Sequence, residues 1–116
     1  MSKAAFSVFV FSLYLFALGV ILVVIPNVLL SLFRIPATNE VWVRVVGMLV
    51  LILGFYYSTA ARNELTPFLR ATVYGRAAVL VFFVAFVSLG LAPPILIVFG
   101  LIDAVAATWT AVALRG

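Results

Sequence analysis

The sequence of 116 residues contains neither cysteine nor histidine, and only three of its residues are acidic. Without cysteine there are no disulfides, thiolate nucleophiles or thiolate metal ligands. Without histidine there is no imidazole for acid–base chemistry or for binding a metal or a haem. Paired carboxylates and a phosphate-binding glycine loop are missing as well. The sequence therefore predicts no enzyme, no catalytic residue, no metal site and no cofactor.

Charge is also scarce, since 9% of the residues are charged and 68% are apolar. A soluble domain has about a quarter of its residues charged, so this chain cannot cover its own surface in water. The apolar residues come in blocks of about twenty, which is the length of a helix that crosses a bilayer. In lipid, a helix satisfies its own backbone polar groups. The sequence predicts an all-α integral membrane protein.

Prolines and small polar clusters separate the apolar blocks into four segments. We expect helices at about 4–25, 39–62, 67–91 and 94–115 in a single membrane domain covering 1–116. Residues 27–33 are expected either to continue the first helix or to form a short interfacial piece. The first segment is too long for a signal peptide and has no cleavage site before Pro26, so we expect it to be retained. Short connections force neighbouring helices to run antiparallel, which predicts a four-transmembrane-helix up-down-up-down bundle.

The basic residues predict the orientation, because cytoplasmic ends carry the excess of lysine and arginine. They divide five against two: Lys3, Arg62, Arg70, Arg76 and Arg115 towards one end, Arg34 and Arg44 towards the other. Both termini are therefore expected in the cytoplasm. We interpret the net charge of +4 as a matter of topology and of anionic lipid headgroups. Membrane lipids are the expected partners, and nucleic acid is not.

Three ionisable residues inside the apolar segments, where charges are costly, are candidates for function: Arg44, Arg76 and Asp103. Asp103 and Arg76 are on consecutive predicted helices, at depths that differ by about 5 Å. We expect them to pair inside the bundle, either as a structural ion pair or as a proton- or substrate-responsive site. Tyr14 lies at a similar depth, so it either joins this pair or bonds to a backbone carbonyl.

Arg44 lies near the start of the second predicted helix, at the end away from the cytoplasm. It is expected either to extend to the headgroups or to bind a lipid phosphate or an anionic substrate. Small residues allow close packing on two helices, either within the bundle or against a second copy. They are Gly47 and Gly54 on the second helix, and Gly100, Ala104, Ala107 and Ala111 on the fourth. Since four helices enclose little volume, a homo-oligomer (dimer or higher) or a larger membrane complex is expected.

Trp109, Tyr56 and Tyr57 lie towards the predicted cytoplasmic side. They are expected to anchor the helices at the interface. The alternative is that Trp109 and one of the two tyrosines line an inner vestibule for a planar or cationic ligand.

The stretch RVVGMLVLILGFYYSTAAR, which begins at Arg44, is followed by TVYGR and by a helix containing Gly100-Leu-Ile-Asp103. This pattern resembles the small bacterial four-helix membrane proteins described as DoxX-like. The resemblance implies four helices and the bacterial inner membrane, and it implies no activity and no site residue.

In size and helix count the chain is also similar to the small multidrug resistance family of proton-coupled exporters. That family depends on a glutamate in the first helix, and the first helix here contains no acid. The predicted function is an accessory membrane protein, or one that binds a small hydrophobic ligand or lipid. The alternative is a small proton-coupled transporter that uses Asp103.

Overall fold

The computed structural model describes residues 1–115, and this part of the chain contains five helices and no strand. The helices are α1 (Lys3–Val24), α2 (Pro26–Leu32), α3 (Val41–Arg62), α4 (Thr66–Ser88) and α5 (Leu96–Arg115). All except α2 are long and apolar enough to cross a membrane. The prediction of an all-helical chain with four such helices is therefore confirmed.

The chain forms two compact units. Unit 1 consists of Met1–Val8 and Ala60–Gly116, so it contains the start of α1, the end of α3, and all of α4 and α5. Unit 2 consists of Phe9–Thr59 and contains the rest of α1, α2 and most of α3. The prediction of a single membrane domain stays a prediction.

Three helices end in the same way, through a residue in the left-handed backbone region. Arg34 after α2, Glu64 after α3 and Gly90 after α4 have φ values of 57°, 52° and 74°. After α4, the amide of Leu91 donates to the carbonyl of Phe86, and that of Gly90 to the carbonyl of Val87. This pattern is the Schellman motif, and α2 and α3 end with the equivalent pairs of bonds.

The ends of the helices differ from the predicted ones by up to three residues. α4 stops at Ser88 instead of 91, because the Schellman motif turns the chain at Gly90. α3 begins at Val41, and the expected first residues Asn39 and Glu40 lie outside it. The Thr38 hydroxyl accepts a hydrogen bond from the Glu40 amide, which holds this stretch in a turn before the helix.

The predicted interfacial piece at 27–33 is the short helix α2, which starts at Pro26 because proline needs no amide partner at a first helical position. Asn27 ties this helix to the loop before α3. Its Nδ2 donates to the Thr38 carbonyl at 3.1 Å, and its Oδ1 accepts from the Thr38 amide at 2.9 Å. This pair of bonds closes the loop from α2 towards α3.

In unit 2, α1 and α3 pack through glycines. A Cβ atom at Gly47 would lie 2.7 Å from Leu22 Cβ and 2.9 Å from the Val23 backbone nitrogen. Gly54 lies against Leu15 and Phe16. The glycines of α3 therefore face α1, and the two backbones approach closely where the side chain is absent.

In unit 1, Gly100 of α5 packs against Leu80 and Phe83 of α4. Ala107 is buried, whereas Ala104 and Ala111 are half-buried. Large apolar side chains such as Tyr74, Val81, Leu89 and Val105 are at least two-thirds exposed. Such extensive apolar exposure is unusual for a soluble monomer and suits a chain surrounded by lipid.

Candidate functional site

The most buried polar side chains of unit 1 form one hydrogen-bonded group, the Arg76 network, which consists of Ser7, Thr72, Arg76 and Thr110. Arg76 is 1% exposed, and Ser7 and Thr110 are completely buried. Arg76 Nε donates to the Thr72 carbonyl at 3.1 Å, and Nη2 donates to the hydroxyls of Thr72 at 3.0 Å and Thr110 at 2.9 Å. The remaining nitrogen, Nη1, is buried as well. Three hydrogen bonds of the guanidinium thus go to neutral oxygens of Thr72 and Thr110.

The hydroxyls of Ser7 and Thr110 link α1 to α5 through a bond of 2.6 Å in which either can donate. Ser7 Oγ lies 2.7 Å from the Ala4 carbonyl, and Thr110 Oγ1 lies 3.3 Å from the Ala106 carbonyl. Each hydroxyl has one proton. Because the distance from Ser7 to Ala4 is the shorter of the two, Ser7 donates its proton to the Ala4 carbonyl. Thr110 then donates its proton to Ser7, and its oxygen accepts the hydrogen bond from Arg76.

The direction of the Arg76 side chain follows from helix geometry. Thr72 is one turn earlier on α4, and long side chains in helices lean towards the N-terminus. The contacts of α4 with α5 also give the relative direction of these two helices. Leu80 and Phe83, later on α4, meet Gly100 near the start of α5, whereas Arg76, earlier on α4, meets Thr110 further along α5. The two helices are therefore antiparallel.

Asp103 is half-buried on the same face of α5 as Thr110. Its position is seven residues earlier, which corresponds to about 10 Å along the helix axis. The Asp103 carboxyl is near enough to the Arg76 guanidinium for their opposite charges to attract each other. The hydrogen bonds given above direct the guanidinium to the threonines, and the expected direct pairing of Arg76 with Asp103 stays a prediction.

An open groove lies beside this network, and we call it the Trp109 groove. Its volume is about 560 Å³, within the range of sites for small ligands. The rings of Phe6 and Trp109 meet edge to face, with centroids 6.2 Å apart. The groove is lined from the start of the chain by Met1, Ser2, Lys3 and Phe6, and from α5 by Trp109, Val112 and Ala113.

The groove and the Arg76 network share their supporting helices. On α1, Phe6 lines the groove and the next residue, Ser7, belongs to the network. On α5, Trp109 lines the groove and Thr110 belongs to the network. The hydrogen bond between Ser7 and Thr110 therefore fixes the spacing of the two helices that carry the aromatic pair.

The start of α1 is also tied to the connection between α3 and α4. The Ser2 amide donates to Glu64 Oε1 at 2.6 Å, and the Ser2 hydroxyl accepts from the Ala5 amide at 3.0 Å as a helix cap. The hydrogen bonds from Ser2 lower the pKa of the Glu64 carboxyl below its usual value, so this group is ionised at neutral pH. The start of α1, the connection after α3 and the end of α5 thus meet at one end of unit 1.

The other aromatic residues predicted to be functional, Tyr14, Tyr56 and Tyr57, belong to unit 2. The ring of Tyr14 lies 5.4 Å from that of Phe11, which also packs against Tyr57 at 6.0 Å. Tyr56 is exposed and lies beside Phe55. A shared polar cluster of Tyr14 with Arg76 and Asp103, and a vestibule formed by Trp109 and a tyrosine, stay predictions.

Arg44 has a structural partner within unit 2. Its Nη1 donates to the carbonyl oxygen of Val23 and, at 3.4 Å, to that of Val24. These carbonyls belong to the last turn of α1, where no further helical amide follows to bond them. Arg44 therefore caps α1, and its positive charge suits the negative end of the helix dipole. Binding of a lipid phosphate or anionic substrate by Arg44 stays a prediction.

Sequence reasoning missed Ser7, Thr72 and Thr110 as members of the site. Thr72 had a usable signal, because a threonine four residues before an arginine lies on the same helix face. Ser7 and Thr110 had only their polarity within apolar segments. Lys3 was recognised for topology alone, and Phe6 was not singled out because one phenylalanine among eleven carries no signal.

Residues 1–115 bring together no group of three acidic side chains that could hold a metal ion. No protein-family model, curated protein or solved structure matches the chain. The described structure defines an all-helical protein with four helices suited to a membrane. The resemblance to DoxX-like proteins stays a prediction.

Proposed function

We propose that this chain is a four-span protein of the bacterial inner membrane, arranged up-down-up-down with both termini in the cytoplasm. The four long apolar helices and their short connections support this topology. The excess of basic residues at the end that carries Lys3, Arg62 and Arg115 supports the orientation. We include a homo-oligomer or larger membrane complex in the proposal, because four helices enclose little volume.

Its proposed role is that of an accessory protein that binds a small hydrophobic ligand or lipid. The Trp109 groove is the observation that carries this proposal. It offers an aromatic pair and the apolar side chains of Val112 and Ala113 beside the charged side chain of Lys3. Sites for small ligands are typically concave and mostly apolar, with few polar groups. The Arg76 network, with Asp103 acting on its charge, is proposed to keep the helices that form the groove in place.

Tryptophan fluorescence can test ligand binding in the groove. The variant Trp42→Phe leaves Trp109 as the reporter, since the chain has two tryptophans. We expect brominated phosphatidylcholine in vesicles to quench Trp109 with a saturable component at low mole fractions, because a site fills before random contacts become frequent. Ala113→Phe should remove that component by filling the groove. The proposal would be refuted if quenching rose only in proportion to the mole fraction of brominated lipid, and equally with and without Ala113→Phe.

The alternative function is proton-coupled transport through Asp103, which is favoured by a half-buried carboxyl inside α5 that interacts with the Arg76 charge. A transporter in liposomes would move protons when a substrate gradient is applied, and Asp103→Asn would abolish that signal. For the accessory role we expect no such movement with either protein. Proton flux that is lost in Asp103→Asn would decide for transport.

A further inference from the structure

The end of unit 1 that carries the Trp109 groove is strongly basic. Lys3 lines the groove, and Arg115 lies in the last turn of α5. Arg62 lies in the last turn of α3, just before the connection to which Ser2 is bonded. That connection also carries the ionised Glu64, whose Oε1 accepts the Ser2 amide, so three basic side chains stand against one acid at this end. The mouth of the groove therefore lies in a positive field.

The charges and the apolar surface of the groove are separated in space along α1. Lys3 and Ser2 lie at the start of the helix, whereas Phe6 is one turn further along it. On α5, Trp109 lies about one turn before Val112 and Ala113. An occupant thus meets an ammonium group with three hydrogen-bond donors at the end of the groove where Val112 and Ala113 also lie, and the aromatic pair Phe6 and Trp109 further in. This arrangement is complementary to an amphiphile with an anionic head and an apolar tail.

We infer that the Trp109 groove binds an anionic membrane phospholipid, with its phosphate headgroup at Lys3 and an acyl chain along Phe6 and Trp109. This inference rests on the proposed ligand-binding function and names the chemical class of the ligand. A cationic ligand would use the Trp109 ring through a cation–π contact, but it would meet the charge of Lys3 in the same groove. An anionic headgroup is attracted by Lys3 and by the arginines around the mouth.

The test compares two brominated lipids with the same acyl chains, phosphatidylglycerol and phosphatidylcholine, in vesicles containing the Trp42→Phe protein. One lysine near an anionic surface contributes about 1 kcal/mol, which corresponds to about a fivefold change in affinity. We therefore expect half-saturation of Trp109 quenching at an about fivefold lower mole fraction of phosphatidylglycerol. Lys3→Gln should remove most of this preference, because Lys3 is the charged side chain that lines the groove, and Lys3→Arg should retain it.

Arg34→Gln is the matched control, because it removes one positive charge from a residue that does not line the groove. We expect it to leave the preference unchanged. Saturable quenching that is equal for the two lipids, or a preference that Lys3→Gln leaves unchanged, would overturn the inference while leaving the proposed function intact. The absence of any saturable component in either lipid would overturn the proposed function itself.

Discussion

Thr110→Val is expected to lower the free energy of unfolding by about 2–3 kcal/mol, because it removes a hydroxyl that a buried charge needs. Valine has nearly the same shape, so the change creates no large cavity. Arg76 Nη2 loses its bond of 2.9 Å to Thr110, and the guanidinium stays 1% exposed. Ser7 loses its bond of 2.6 Å to the same hydroxyl. Unfolding in mixed detergent micelles with increasing sodium dodecyl sulfate measures the loss.

Thr108→Val is the matched control on the same helix. The Thr108 hydroxyl is exposed and donates to the Ala104 carbonyl of its own helix, so its loss should change stability by less than about 0.5 kcal/mol. In an Arg76→Met background the cost of Thr110→Val should fall by more than about 1 kcal/mol, because the charge that needs the hydroxyl is gone. Equal costs for the two threonines would contradict the assignment of Thr110 to the Arg76 network.

The network also marks the limit of prediction from the sequence. Arg76 and Asp103 were recognisable because ionisable residues stand out in apolar segments. The hydrogen-bond partners of Arg76 were not recognisable, because a threonine in a helix usually bonds a carbonyl of its own helix, as Thr72 also does here. Which threonine additionally meets an arginine depends on the register of α4 against α5, and the sequence alone does not determine that register.

The helices themselves were largely predictable, since length and apolarity decide which segments can cross a membrane. The exact residues at which the helices end were less predictable. Gly90 is a recognisable signal for a left-handed C-terminal residue, whereas Arg34 and Glu64 adopt the same conformation without any glycine. The Trp109 groove could not be predicted from the sequence, because Phe6 and Trp109, whose rings meet in it, are separated by nearly the whole length of the chain.

Gly47→Ala is expected to destabilise the protein by about 2 kcal/mol or more through overpacking between α1 and α3. The new Cβ would lie 2.7 Å from Leu22 Cβ, 2.9 Å from the Val23 nitrogen and 3.0 Å from the Gly19 oxygen. Two of these three atoms belong to the backbone, so relief requires α1 and α3 to separate. The same movement would draw Arg44 away from the Val23 carbonyl that it caps. The detergent unfolding described above measures the effect.

Two other glycines provide a graded comparison with the same chemical change. At Gly54 the nearest atoms are side-chain atoms of Phe16 and Leu15 at 3.2–3.3 Å, so Gly54→Ala should cost less than Gly47→Ala. At Gly75 nothing lies within 4 Å of the added Cβ, and the better helix propensity of alanine should stabilise the protein by up to about 1 kcal/mol. If Gly47→Ala and Gly75→Ala had the same effect, the close approach of α1 and α3 at Gly47 would be refuted.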